Sequence, residues 1–388
     1  MDKIIPFESC TGCRACEQIC PKNAITMKEN EEGFLYPSID KDKCINCGLC
    51  KKTCPILNYD KKINEQHVFG LKPCDGSIAK NSTSGGAFYL IAKKVIQKGG
   101  IVVGAAYDFD LYLKHTVVND INELEKLRGS KYVISDTNDT FKKTKELLIK
   151  GTMVLYAGCP CQIAGLKSYL KKDYHNLITI DLICHGVPSY KLFRKYLDYM
   201  EIKLSDKIIN YKFRSKEKNW WGLGYTASIE LPNKELYIKS ASDPYYSAFL
   251  SCKTFRESCY NCKFANLNRC GDITLGDFWG IEYLDNKMYS KLGVSLVLTN
   301  TSKGLEIIKE LENIVIKEYP ITYATRDNKN LESPSKRPKI RDEVYKKLDE
   351  LDFEILSKRY LLPKNKIKNV IKSLIPQNIK LIMKSKRK

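Results

Sequence analysis

Several features that commonly fix a chain's class are missing from these 388 residues. The opening "MDKIIPFESC" has no apolar run before its first cysteine, so neither a secretory leader nor a transit peptide is expected. No stretch approaches the roughly 20 apolar residues that span a bilayer. No G-x-G-x-x-G follows a strand-like run, which argues against a standard dinucleotide fold, and no P-loop, His-Asp-Ser set or carboxylate pair points to phosphoryl transfer or hydrolysis. Between Lys358 and Lys388 there are eleven Lys and Arg and no Asp or Glu, so +11 of the formal +20 sits in that tail. With the charge so localised, and no helix-turn-helix, zinc-finger or RNA-binding pattern beside it, nucleic acid is not an expected partner. The expected location is the cytoplasm, either free or peripheral at the inner face of the membrane.

Cysteine, by contrast, is abundant, with sixteen residues. In a cytoplasmic chain of this size that favours metal ligation or redox chemistry over disulfides. "CTGCRACEQICP" and "CINCGLCKKTCP" share the form C-x2-C-x2-C-x3-C-P. Two-residue gaps let one tight loop offer three thiolates to one 4Fe-4S cubane, and the fourth cysteine of each run ligates the other cluster. Cys10, Cys13, Cys16 and Cys54 are therefore assigned to one cluster, and Cys44, Cys47, Cys50 and Cys20 to a second. Zinc knuckles have no reason to place a third cysteine at the same gap ahead of C-P. Residues 1–58 resemble the bacterial two-cluster ferredoxins, which pass single electrons and catalyse nothing alone.

Beyond "NYDKKINEQH" the pattern changes. Strand-like runs ("GIVVGAAYD", "KHTVVND", "GTMVLYAG", "LITIDLIC") alternate with segments of helical period ("GAFYLIAKKVIQKG", "TFKKTKELLIKG", "CQIAGLKSYLKK", "YKLFRKYLDYM"), which predicts an α/β domain with a mostly parallel sheet and ligand loops at the carboxyl ends of its strands. In "NSTSGGAF", the hydroxyls and glycine amides around Ser84, Gly85 and Gly86 precede a helix, either as a cap and turn or as a seat for phosphate. "LRGSKYVIS" offers Arg128, Lys131 and Tyr132, either as a solvated turn or as contacts to a pyrophosphate or flavin. "YAGCPCQIAGL" and "DLICHGVPS" put Cys159, Cys161 and Cys184 after strands, while "SCKTFRESCYNCKFANLNRCGDITLGDFWG" adds Cys252, Cys259, Cys262 and Cys270. So many cysteines at loop positions predict a third metal centre.

Taken in order, these motifs resemble the beta-subunit family of the deazaflavin-coenzyme hydrogenases and dehydrogenases over about residues 1–300, including relatives that carry a ferredoxin module in front. The resemblance implies FAD beside a third 4Fe-4S cluster held by Cys161, Cys184, Cys259 and Cys262, with Ser84, Gly85, Gly86, Lys131 and Tyr132 as flavin contacts. Two departures stand out. Cys159 occupies a position where the family has Thr, and Cys252 and Cys270 are extra, which keeps open a local quartet of Cys252, Cys259, Cys262 and Cys270. Asp277, in "LGDFWG", is either a turn residue or part of the site.

The expected architecture is thus an α+β ferredoxin module (1–58), an α/β flavoprotein domain (66–315), and a charged helical annex with a basic helical tail (316–388). Clusters exchange single electrons and organic substrates take pairs, a difference that a flavin can bridge. Two functional readings follow. One is an iron–sulfur flavoprotein oxidoreductase acting on a small organic substrate or deazaflavin-type coenzyme, in polysaccharide biosynthesis by the resemblance. The other is a non-catalytic electron-transfer subunit of a larger hydrogenase or dehydrogenase. An electron donor protein or reduced ferredoxin is an expected partner of either. A third reading makes Cys159 and Cys161 a thiol reductase pair. "SKGLEIIKELENIVIK" predicts an amphipathic helix. In the tail, Ile367, Ile371, Leu374 and Ile375 fall at helical spacing among lysines, which fits either a membrane-surface or partner-docking helix or a solvated tail.

Overall fold

The computed structural model describes residues 3–59, 66–222 and 224–363. The residues of the expected tail helix, Ile367, Ile371, Leu374 and Ile375, lie outside that range. The front module pairs β1 (Ile25–Glu29) with β2 (Leu35–Ile39) as an antiparallel hairpin between the two cysteine runs. The remaining strands are β3 (His67–Pro73), β4 (Ile101–Tyr107), β5 (Leu113–Val118), β6 (Val154–Gly158), β7 (Leu177–Leu182), β8 (Asn210–Ser215), β9 (Thr226–Leu231), β10 (Lys234–Lys239), β11 (Ile273–Asp277), β12 (Ser295–Thr299) and β13 (Ile314–Tyr319). Eight of these form one sheet in the order β13-β3-β12-β11-β7-β6-β4-β5, and β10-β9-β8 form a separate antiparallel sheet.

The large sheet is mixed, which corrects the expectation of a mostly parallel one. Only β11, β7, β6 and β4 run parallel to one another, while β5 on one flank and β12, β3 and β13 on the other are antiparallel to their neighbours. The cause at the β5 edge is local. Tyr107 and Leu113 are joined by a tight turn in which the Asp108 amide donates to the Tyr112 carbonyl and Leu111 takes a left-handed φ of 58°. A link that short returns the chain antiparallel, whereas a parallel neighbour needs a crossover of a dozen residues or more.

Period-two alternation covers both faces of the sheet. Along β6, Leu155 and Ala157 pack with Ile91 and Val95 of the helix Ala87–Gln97, while Val154 and Tyr156 pack with Ile163 and Leu166 of the helix Pro160–Leu170. The expected helix at 302–317 ends at Lys309. Asn313 turns left-handed (φ 54°), and the β-branched "IVI" that follows becomes β13, an edge strand paired with β3. The boundary expected at 315/316 therefore falls inside a strand. The charged annex contributes Val344, Tyr345, Phe353, Leu356 and Leu361 to the core built around the helix Tyr190–Leu204. No helix among the described residues is long and apolar enough to cross a membrane.

The front module rests on the body through buried polar contacts. Arg256 donates from Nε to the Cys10 carbonyl (2.6 Å) and from Nη2 to the Leu35 carbonyl (2.9 Å). Thr137 donates to the Cys13 carbonyl (3.1 Å), and Arg14 to Asp136 (2.7 Å).

Candidate functional site

In the module the two cysteine runs use the same backbone device. Gly12 and Arg14 in the first run, and Asn46 and Gly48 at the matching positions of the second, all have left-handed φ between 53° and 73°. Alternation of this kind turns successive N–H groups into a concavity suited to an anionic centre. One cavity is lined by Cys10, Cys13, Cys16 and Cys54, and another by Cys20, Cys44, Cys47 and Cys50. The fourth cysteine of each run is thus placed with the other run's three.

The chemistry of these sulfurs fits thiolate ligands of a cationic core. Burial raises Cys13 to about 12 and also raises Cys50 and Cys54, while backbone amides of Ala15, Lys51, Ile56 and Leu57 donate to these sulfurs and pull the other way. The amide of Ala24 donates to Cys20 Sγ at 3.3 Å. Amides aimed at sulfur favour the anion, and clustered buried thiols can all be anions only around positive charge.

A further set of thiols gathers at the carboxyl edge of β6 and β7, as their parallel pairing requires. Cys161 lies in the first turn of the helix after β6, Cys184 follows β7, and Cys259 and Cys262 sit on and just after the short helix Glu257–Tyr260. Burial and then charge repulsion from Cys262, Cys184, Cys259 and Cys13 push Cys161 well up. Amides of Gly186, Val187 and Phe264 donate to Cys184, Cys259 and Cys262 respectively. The two extra cysteines have other neighbours. Cys252 is shifted by burial and by Ser335 rather than by other thiols, and Cys270 faces Tyr59. Cys159 stands 3.9 Å from Cys184, sulfur to sulfur. Among the described residues no three Cys, His, Asp or Glu side chains close on a site for a single ion.

A buried ion pair holds these loops in place. Arg269 donates to Asp181 at 2.9 Å with both side chains almost fully enclosed, and Asp181 also accepts from the amides of Cys270 (2.8 Å) and Gly271 (2.9 Å) and from the Thr274 hydroxyl (2.6 Å). The same guanidinium donates to the Phe264 and Leu182 carbonyls, tying the loop after Cys262 to the one before Cys184.

Cys159 and Cys184 also form part of the wall of a cavity of about 370 Å³. Ser84, Gly86, Lys131 and Tyr132 line it as well. Gly85 lies off the wall: a Cβ there would meet the Leu71 carbonyl and the Ser295 amide at 2.5 Å, so this glycine lets the loop press against the sheet. The two loops are joined, with Ser130 N donating to Thr83 Oγ1 (2.7 Å) and Arg128 to Ser82 Oγ (3.2 Å). The helix Ala87–Gln97 opens onto the cavity through Gly86, whose φ of 90° suits glycine. Lys131 folds back to donate to the Arg128 carbonyl (2.9 Å), and burial lowers it to about 7. Tyr132 stacks on Phe249 with ring centroids 4.1 Å apart.

Asp277 resolves toward the site. It lines the cavity, pairs with Arg214 (3.1 Å) and accepts from Trp221 Nε1 (2.6 Å). Sequence reasoning missed Arg214, which lies on the antiparallel sheet, sits over the Tyr225 ring (4.3 Å) and donates to the Tyr132 hydroxyl (3.2 Å). Lys216, two residues on, reaches the Ser84 carbonyl (2.7 Å). The only signal for the pair was a two-residue spacing of cations at and just past the end of a strand. His115 was also missed. Burial lowers it to about 4, its Nε2 donates to the Ala157 carbonyl (3.1 Å), and its Nδ1 accepts from Ser135 (2.8 Å).

Residues 151–322 match the family model for the C terminus of the coenzyme F420 hydrogenase/dehydrogenase beta chain, and residues 9–57 match the 4Fe-4S dicluster domain. Among curated proteins, a subunit of the F(420)H(2) dehydrogenase of Methanosarcina mazei is 22% identical over 343 residues, covering 80% of this chain and 90% of that protein. Among solved structures, a chain of the F420-reducing NiFe hydrogenase complex from Methanosarcina barkeri aligns at 16% identity and a TM-score of 0.43, over 79% of this chain and 96% of that one.

Proposed function

Because the chain belongs to the coenzyme F420 hydrogenase/dehydrogenase beta-subunit family and carries a 4Fe-4S dicluster domain in front, we propose that it is the iron–sulfur electron-transfer subunit of a larger oxidoreductase and that its cavity takes FAD. When bound, the clusters supply one-electron chemistry and the flavin couples it to two-electron chemistry. Of the two readings opened by the sequence, the subunit reading is favoured by the relative that is itself named as a dehydrogenase subunit. A cytoplasmic setting belongs to the same proposal, since reducing surroundings keep the thiols available for iron.

The observation that carries this reading is that Cys184 neighbours other thiols and also lines the cavity. It stands with Cys161, Cys259 and Cys262, and it lines the cavity that holds Ser84, Gly86, Lys131 and Tyr132. On the other side, Cys13 is near enough to Cys161 to repel its charge, so the front module and the sheet edge adjoin through these sulfurs. Ser84, the Gly86 turn and the first amides of the helix Ala87–Gln97 would hold a phosphate, with Lys131 and Arg214 adding positive charge. Tyr132 would bound a ring system, and the half-buried walls would exclude water around it.

Anaerobic purification with iron, sulfide and flavin quantified together tests the proposal. About twelve irons for three 4Fe-4S clusters and one FAD per chain are expected, with turnover only when a partner subunit is added. Eight irons without flavin would overturn it. The thiol-reductase reading is tested in the same preparation, since it requires Cys159→Ser to abolish activity at unchanged iron content.

A further inference from the structure

The twelve thiols assigned to clusters differ sharply in exposure. Cys47 alone among them is exposed, while Cys13, Cys50 and Cys54 are buried and the rest are intermediate. Cys47 lines the cavity shared with Cys20, Cys44 and Cys50, so this quartet is the one that meets the surface. Ile45, on the loop between Cys44 and Cys47, lines the same cavity and is 58% exposed. An apolar tip beside an accessible sulfur is the feature around which small, transient electron-transfer interfaces form, and such encounters sit at the low end of interface size.

The rim around this tip is cationic. Lys22 lies just past Cys20 and borders the cavity, and Lys51 and Lys52 stand on the short helix Leu49–Thr53 that begins two residues after Cys47; all three are exposed. Lys41 and Lys43 precede Cys44, accompanied by Asp40 and Asp42, of which Asp40 pairs with Lys43 at 2.9 Å. Five lysines thus face two aspartates around this tip, so the positive charge is local to it. An electron carrier brought to this face by diffusion is steered best if its own surface is acidic.

We propose that the surface formed by Cys47, Ile45, Lys22, Lys51 and Lys52 docks a small acidic one-electron carrier protein, and that electrons are exchanged with the outside at this quartet rather than at the others. The proposal rests on reading Cys20, Cys44, Cys47 and Cys50 as cluster ligands. It adds to that reading which cluster meets the partner and what charge the partner carries.

The test uses the full-length, anaerobically purified chain and an acidic two-cluster ferredoxin as the probe, with cluster bleaching followed by stopped flow. The doubly substituted Lys51→Glu/Lys52→Glu chain is compared with the parent. At low ionic strength its second-order rate constant with reduced ferredoxin is expected to fall about tenfold, and in about 0.5 M salt the two rates should converge within about twofold. Iron content should not change, nor should the rate with dithionite in about 0.5 M salt, where steering of this small anionic reductant is screened. Equal ferredoxin rates in the two chains at low salt, with all clusters present, would overturn the docking surface while leaving the proposed function intact. Loss of the exposed cluster from the parent chain itself would overturn both.

Discussion

In the front module, eight thiols fall between Cys10 and Cys54, and each run presents its first three through one loop bent by two left-handed residues. In the body, the four thiols proposed as a third set come from three loops spread between Cys161 and Cys262, two of which are brought together because β6 and β7 lie side by side and parallel. The module can organise its sulfurs with local backbone geometry alone. The body depends on the whole sheet, and above all on the Arg269–Asp181 pair that ties the loops together. The two regions should therefore fail differently when their supports are removed.

The sharpest way to separate them is Asp181→Ala. Arg269 would be left buried without its carboxylate, and breaking a buried pair from one side costs about 3–5 kcal/mol. Denaturant unfolding should show a loss of that size, and iron analysis should show about four irons missing, while the spectroscopic signals of the two module clusters persist. If the module's iron is lost in step with the third set, the regions are not separable supports. Next in size is Cys161→Ser, which is expected to remove about four of about twelve irons with little loss of stability, read by iron and sulfide analysis. An unchanged iron count would remove Cys161 from the third quartet.

The contact between the two regions can be attacked directly. Gly165 presents a bare face of the helix Pro160–Leu170 to the module, and a Cβ there would stand 3.0 Å from Cys13 Sγ and 3.1 Å from its Cβ. Gly165→Val should overpack this seam at about 1–3 kcal/mol. The first consequence should be faster iron release from the quartet containing Cys13, measured by chelator trapping. Release at the parental rate would mean that the module does not depend on this seam.

The same contrast explains how much was legible in the sequence. The C-x2-C-x2-C-x3-C-P runs encode their own geometry, so the pairing of Cys54 with the first run and Cys20 with the second could be read before any fold was known. Three of the four parallel strands, β4, β6 and β7, and the helices that follow them were legible from apolar runs and helical period, whereas β11 was read only as part of a cysteine-bearing motif. The antiparallel flanks were not, because whether β5 turns back on β4 is decided by the few residues from Asp108 to Tyr112 rather than by its own "KHTVV" pattern. The segment "NIVIK" reads as helix when joined to the residues before it, and becomes strand because Asn313 breaks the period and β3 offers an open edge. Arg214 and His115 were invisible because their roles depend on which sheet faces the cavity, and nothing in their flanking residues encodes that.

Lys131 offers the smallest effect and the finest probe of the cavity. Burial holds it at about 7 in the folded chain, against about 10.4 for an unperturbed lysine. Between those values the unfolded chain carries a proton that the folded chain lacks, so stability rises with pH through this window. Lys131→Met removes the group and should flatten that part of the rise in ligand-free protein, measured as denaturant midpoints from pH 7 to 10. An anionic ligand in the cavity works the other way, because a phosphate near the ammonium favours its charged form. Added FAD should therefore flatten the rise more in the parent chain than in the Lys131→Met chain, where Lys216, also lowered to about 7 by burial, still titrates. A parent profile indifferent to FAD would separate this lysine from any phosphate the cavity holds, and would leave the Ser84–Gly86 turn as the remaining candidate seat.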